Sequence, residues 1–98
     1  NIFFIKNNTL LTPKLDIGVL PGIMRSTIIK IAKGININVK ESIIKFEDVN
    51  EMDEAFISST GIGLIPCFWD EWKSNYKLTS KIKTKLDSII FGQNIFRN

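Results

Sequence analysis

The sequence predicts a mixed α/β fold, and three observations point to it. Segments 22–33 and 79–91 repeat apolar residues at the spacing of a helix with one buried face. Several shorter segments alternate, or run apolar with β-branched residues, as strands do. Hydrophobic residues make up 44% of the 98, enough to give these faces a common core in one small domain.

"NIFFIKNNTLLTP" reads as a hairpin: strands at 2–6 and 9–12, with Asn7-Asn8 tolerating the left-handed backbone of a two-residue turn. Pro13 ends the second strand, and residues 14–21 form a loop broken by Gly18 and Pro21. From Gly22 to Lys33 a helix is expected. Met24, Ile28, Ile31 and Ile35 make its apolar stripe, Arg25 and Ser26 lie on the wetter side, and Gly34 is its stop. Ile35, Ile37 and Val39 then alternate with Asn36, Asn38 and Lys40 as a half-buried strand, and Ile43-Ile44 continue the sheet or turn its corner. "FEDVNEMDE" reads as a short, solvated helical or turn segment. "EAFISST" and "GLIPCFWDEW" read as strands, the latter near a sheet edge because of Pro66. The second helix runs from Thr79 to Phe91 with Gly92 as cap. This makes five or six strands and two helices.

A net charge of +3 with dispersed lysines does not make a nucleic-acid groove. The absence of histidine excludes histidine-based triads and histidine-ligated metals. One cysteine, Cys67, makes neither a disulfide framework nor a metal box, which fits a reducing, cytoplasmic setting. No apolar run has the length of a membrane span. Phe68, Trp69 and Trp72 suit core or interdomain packing better than base stacking. The chain opens on Asn1 with a core-like strand, which suggests a piece of a longer polypeptide.

Two segments can hold an anion. The helix begins Gly22-Ile23-Met24-Arg25, with no acidic residue to meet its free N–H groups or the positive end of its dipole. A phosphate would satisfy the N–H groups of Ile23 and Met24, and Gly22 would let it approach; water could also meet them. In "SSTG", Thr60 offers a hydroxyl to a phosphate oxygen and Gly61 an N–H to a carboxylate; a polar turn closing a strand would look the same.

"TPKLDIGVLPGIMRSTIIKIAKGININVKE" followed by "DEAFISSTGIGLIPC" resembles the C-terminal half of class IV aminotransferases, the fold-type IV pyridoxal-phosphate enzymes, over roughly residues 1–70. The resemblance implies a mixed, barrel-like sheet with two main helices, and a single domain, 1–98, cut from a two-domain enzyme. It implies pyridoxal 5'-phosphate as cofactor. Leu20 would pack on the pyridine ring, Gly22, Ile23 and Met24 would cradle the phosphate, Thr60 would bind a further phosphate oxygen, and Thr60 and Gly61 would face the substrate carboxylate. No catalytic residue is expected in this chain. The lysine that carries the cofactor and the acid beside the pyridine nitrogen would stand upstream of Asn1, which resembles the end of a Glu-Gly-x-x-x-Asn signature. Alone, the chain would be inactive and bind phosphate weakly. Its partners would be the N-terminal domain, a second copy as homodimer, and a small-molecule substrate, with neither nucleic acid nor membrane.

Met24 stands where many transaminases of the family have Thr, and Gly63-Leu64-Ile65-Pro66 where they tend to have Glu-Ile-Thr-Pro. Both departures lean toward aminodeoxychorismate lyase, which splits 4-amino-4-deoxychorismate into 4-aminobenzoate and pyruvate for folate synthesis. Ser59 is a counter-signal. A branched-chain or D-amino-acid aminotransferase is the alternative, and a non-catalytic α/β interaction module is a further one.

Overall fold

A computed structural model describes residues 1–13, 22–59, 63–68 and 74–90. Strands β1 (Ile2–Lys6) and β2 (Thr9–Thr12) form the expected hairpin, with Asn7 and Asn8 both left-handed (φ 50° and 60°). Helix α1 (Ile23–Gly34) follows, then β3 (Asn38–Glu41), a short 3-10 helix (Phe46–Glu51), β4 (Glu54–Ser59), β5 (Gly63–Cys67) and helix α2 (Lys77–Ile90). The sheet order is β3-β2-β1-β4-β5, antiparallel except for β2 and β3, which run parallel across the α1 crossover.

β1 lies at the centre and is buried on both faces, which explains why "IFFI" does not alternate. Phe3 and Ile5 point to the main core with Leu10, Phe56 and Leu64, against Ile28, Ile31 and Ala32 of α1 and Ile82 and Leu86 of α2. Phe3 and Phe56 are cross-strand partners and stack at 4.9 Å between ring centroids. Phe4 faces the other way, into a smaller cluster with Met52 and Ala55 that is flanked by Ile44 and Val49.

Several expectations shift. Ile35 caps α1, and Asn36 (φ 65°), not Gly34, takes the left-handed turn, so the third strand starts at Asn38. Ile44 packs against the smaller cluster and Ile43 is exposed; neither extends a strand. Gly63 does need its residue type, since φ is +93° where β5 begins. Pro66 lies on an edge strand, as its missing N–H requires. Phe68 is exposed, with its ring edge-on to Tyr76 at 5.2 Å, so it is not core packing; Trp69 and Trp72 lie outside the described residues.

The acidic run is not wholly solvated. Glu54 is 5% exposed, and its carboxylate accepts the N–H groups of Thr79 (2.8 Å) and Leu78 (3.3 Å) at the start of α2. A strand residue thus caps the helix, which starts at Lys77, two residues earlier than expected. Replacing Glu54 with Ala strips one buried and one part-buried donor of a charged acceptor. It should cost about 2 kcal/mol, lowering the melting temperature by on the order of 10 °C in a domain this size. Calorimetry of Glu54→Ala checks this.

Tyr76 precedes that helix and donates its hydroxyl to the Cys67 carbonyl. Burial raises its phenol above the ordinary 10.0, and the negative charges of Cys67 and Glu54 add to the rise. The folded state therefore holds the phenolic proton more tightly than the unfolded chain. The resulting penalty is absent below the unfolded value and grows as pH climbs through and above it. Urea melts at about pH 9 and about pH 11 should show a smaller alkaline loss in Tyr76→Phe than in the native chain.

Candidate functional site

The start of α1 is open. Gly22 is extended (φ −148°), and its carbonyl accepts the first helical bond, from Ser26 N–H at 3.1 Å. The N–H groups of Ile23, Met24 and Arg25 precede that bond and have no intrahelical acceptor. Among the described residues no side chain caps them, and no acidic residue occupies the first turn. Among the described residues, a Cβ built on Gly22 would meet nothing within 4 Å. Ile23 is 88% exposed, whereas Met24 is partly buried and packs its side chain on the core.

Strand directions decide what lies nearby. β2 and β3 end at Thr12 and Glu41, which pair with each other, and β1 begins at the same end of the sheet. β4 runs antiparallel to β1, so Ser58 and Ser59 finish there too; Ser58 donates its N–H to the Asn1 carbonyl at 2.9 Å. Arg25, from the first turn of α1, reaches the Pro13 carbonyl at the end of β2 (3.2 Å) and the Glu41 carboxylate at the end of β3 (3.4 Å). The helix start and the hydroxyl-rich end of β4 therefore share one end of the sheet, with β1 between β2 and β4. Two strand spacings, about 9–10 Å, separate β2 from β4.

Of the expected site residues, the structure places Gly22, Ile23 and Met24 at this open helix start. Leu20, Thr60 and Gly61 lie outside the described residues. Arg25 corrects the sequence reading: it is not on the wet face but 5% exposed, and its Nε has no hydrogen-bond partner. The signal was available, since a cation in the first turn of a helix opposes the dipole. The geometry suits a phosphate dianion: among the described residues nothing meets the first N–H donors or the approach at Gly22, and a buried cation stands in the same first turn.

A cavity of about 490 Å³ lies elsewhere, against Ile35 and Ile37 past the C-terminal end of α1 and beside Lys81 and Lys85 of α2. It faces the negative end of the α1 dipole and is not the cradle. Burial raises the Cys67 thiol above its ordinary 9.0, which keeps it protonated and unreactive at neutral pH. Among the described residues no cluster of three side chains could hold a metal ion, and no helix is long and apolar enough to cross a membrane.

The family Amino-transferase class IV matches residues 1–67, which include the helix start and the end of β4. The chain belongs to the class IV aminotransferase family. Enzymes of this family depend on pyridoxal phosphate. A Thermotoga maritima protein named as a probable branched-chain-amino-acid aminotransferase is 41% identical over 66 residues, 67% of this chain and 24% of that protein. The crystal structure of a branched-chain aminotransferase from Thermoproteus uzoniensis with norvaline superposes with a TM-score of 0.86 at 33% identity, over 98% of this chain and 33% of that one. The 4-amino-4-deoxychorismate lyase from Pseudomonas aeruginosa superposes with a TM-score of 0.80 at 25% identity, over 90% of this chain and 33% of that one. The class IV chain thus spans a quarter to a third of the length of these relatives.

Proposed function

We propose that this chain supplies the phosphate-binding half of the pyridoxal-phosphate site in an aminotransferase acting on branched-chain amino acids. The supporting observation is the uncapped α1 start at the same sheet end as the last residues of β4. The N–H groups of Ile23 and Met24 hold phosphate oxygens, and Gly22 keeps their approach clear. Thr60 adds its hydroxyl, Leu20 packs on one face of the ring, and the backbone at Thr60 and Gly61 meets the substrate carboxylate. Anchoring the phosphate fixes the ring relative to the substrate, and such orientation is a large part of a catalytic rate. Once bound, pyridoxal phosphate supplies the electron sink for charge developing at the substrate carbon. The lysine and the acid that complete the site belong to an N-terminal domain of the whole protein, which works as a homodimer.

The names of the relatives favour branched-chain substrates. A second reading, aminodeoxychorismate lyase, rests on Met24 in place of the usual Thr and on Gly63-Leu64-Ile65-Pro66 after the second motif. The whole protein, supplied with pyridoxal phosphate, leucine and 2-oxoglutarate, should form glutamate. If it instead frees pyruvate from 4-amino-4-deoxychorismate with no amino acceptor, and forms no glutamate, the lyase reading stands and the aminotransferase reading falls.

A further inference from the structure

Arg25 is out of keeping with its local surroundings. It brings a positive charge to the positive end of a helix, which is unfavourable on its own. Its guanidinium is 5% exposed, although burying a cation is costly unless it is fully paired. Pairing is incomplete: one nitrogen, Nη2, reaches both the Pro13 carbonyl and a half-exposed Glu41, while Nε is buried with no partner. The helix itself gains nothing from the arrangement. What it achieves is mechanical, because a single side chain ties the first turn of α1 to the ends of two neighbouring strands.

We propose that Arg25 is a positioning residue of the phosphate cradle. Through Nη2 the guanidinium latches the first turn to both Pro13 and Glu41, and so fixes the direction in which the Ile23 and Met24 N–H groups point. A dianion held there would also offset the Arg25 charge and the positive dipole end that it sits beside. The inference rests on the phosphate reading given above.

The test is an amide-shift titration of the isotope-labelled 98-residue chain with inorganic phosphate and with pyridoxal 5'-phosphate, using pyridoxal as the control that lacks the phosphate. Native chain, Arg25→Lys and Glu41→Gln are compared at a temperature where circular dichroism shows all three folded. Arg25→Lys keeps the charge but ends one bond short of the place Nη2 holds, and should weaken both phosphate ligands by about tenfold while leaving pyridoxal unchanged. Glu41→Gln alters only the half-exposed partner, keeps an acceptor, and should weaken them by about two- to threefold. A role limited to stability would lower the melting temperature and leave the affinity of the folded molecules alone. Native-like phosphate affinity in both variants therefore overturns the inference. Failure of the native chain to shift at Ile23 and Met24 removes the phosphate reading and the inference with it, and that outcome is visible without any variant.

Discussion

Phe56→Ala should remove about 3–5 kcal/mol of stability, the largest effect expected of any single substitution in this chain. Phe56 is fully buried near the middle of β4, pairs across the sheet with Phe3, and stacks on its ring at 4.9 Å and 16°. Truncation deletes both the buried area and the stacking, and the surrounding β-sheet cannot collapse into the gap without breaking strand register. A domain of this size has about 5–10 kcal/mol in total, so Phe56→Ala should be largely unfolded in mild urea. Phe56→Leu keeps most of the volume and should cost about half as much. Urea titration followed by far-ultraviolet circular dichroism measures both. A loss below about 1 kcal/mol for the alanine variant would mean that the core does not centre on the Phe3–Phe56 pair.

Ile23→Pro should cost about ten- to a hundredfold in affinity for pyridoxal phosphate in the whole protein while barely altering the fold. Ile23 is the first residue of α1, where proline's fixed φ suits the helix and its missing N–H breaks no helical bond. Gly22 already has the extended backbone that a residue before proline prefers (φ −148°, ψ 155°). The Ile23 side chain is 88% exposed, so little packing is lost. What disappears is one donor in a charge-assisted contact to phosphate, worth about 1.5–3 kcal/mol. Absorbance titration of the cofactor gives the affinity, and a thermal melt without cofactor checks the fold. Equal affinity in the two proteins would show that the Ile23 N–H holds no phosphate.

Much of this was legible in the residues because local chemistry and tertiary demand agree there. The Asn7-Asn8 turn, both hairpin strands, the stripe of α1 and the edge position of Pro66 all follow from backbone preference and period. The acid-free start of α1 is legible as well, since Gly-Ile-Met-Arg opens the helix in the sequence and in the fold; that it holds a phosphate is the proposal. The misplaced residues are those whose role is set by a distant partner. Glu54 looked like one acid in a solvated run, and only the fold brings the start of α2 onto its carboxylate. Arg25 looked like a wet-face cation, and only the parallel pairing of β2 with β3 puts Pro13 and Glu41 together within its reach. Asn36 took the left-handed turn expected of Gly34 because α1 runs through the glycine before the chain turns into β3. Window-based periodicity carries no information on contacts between residues tens of positions apart.

The α1 start of this class IV chain is proposed to hold the cofactor phosphate. Its most direct test is to map, residue by residue, the amide shifts of the native chain on adding pyridoxal 5'-phosphate. Saturable shifts centred on Ile23 and Met24, in the millimolar range, are expected, with pyridoxal producing none there. Shifts clustered instead at the cavity beside Lys81 and Lys85, with Ile23 and Met24 unmoved, would contradict it.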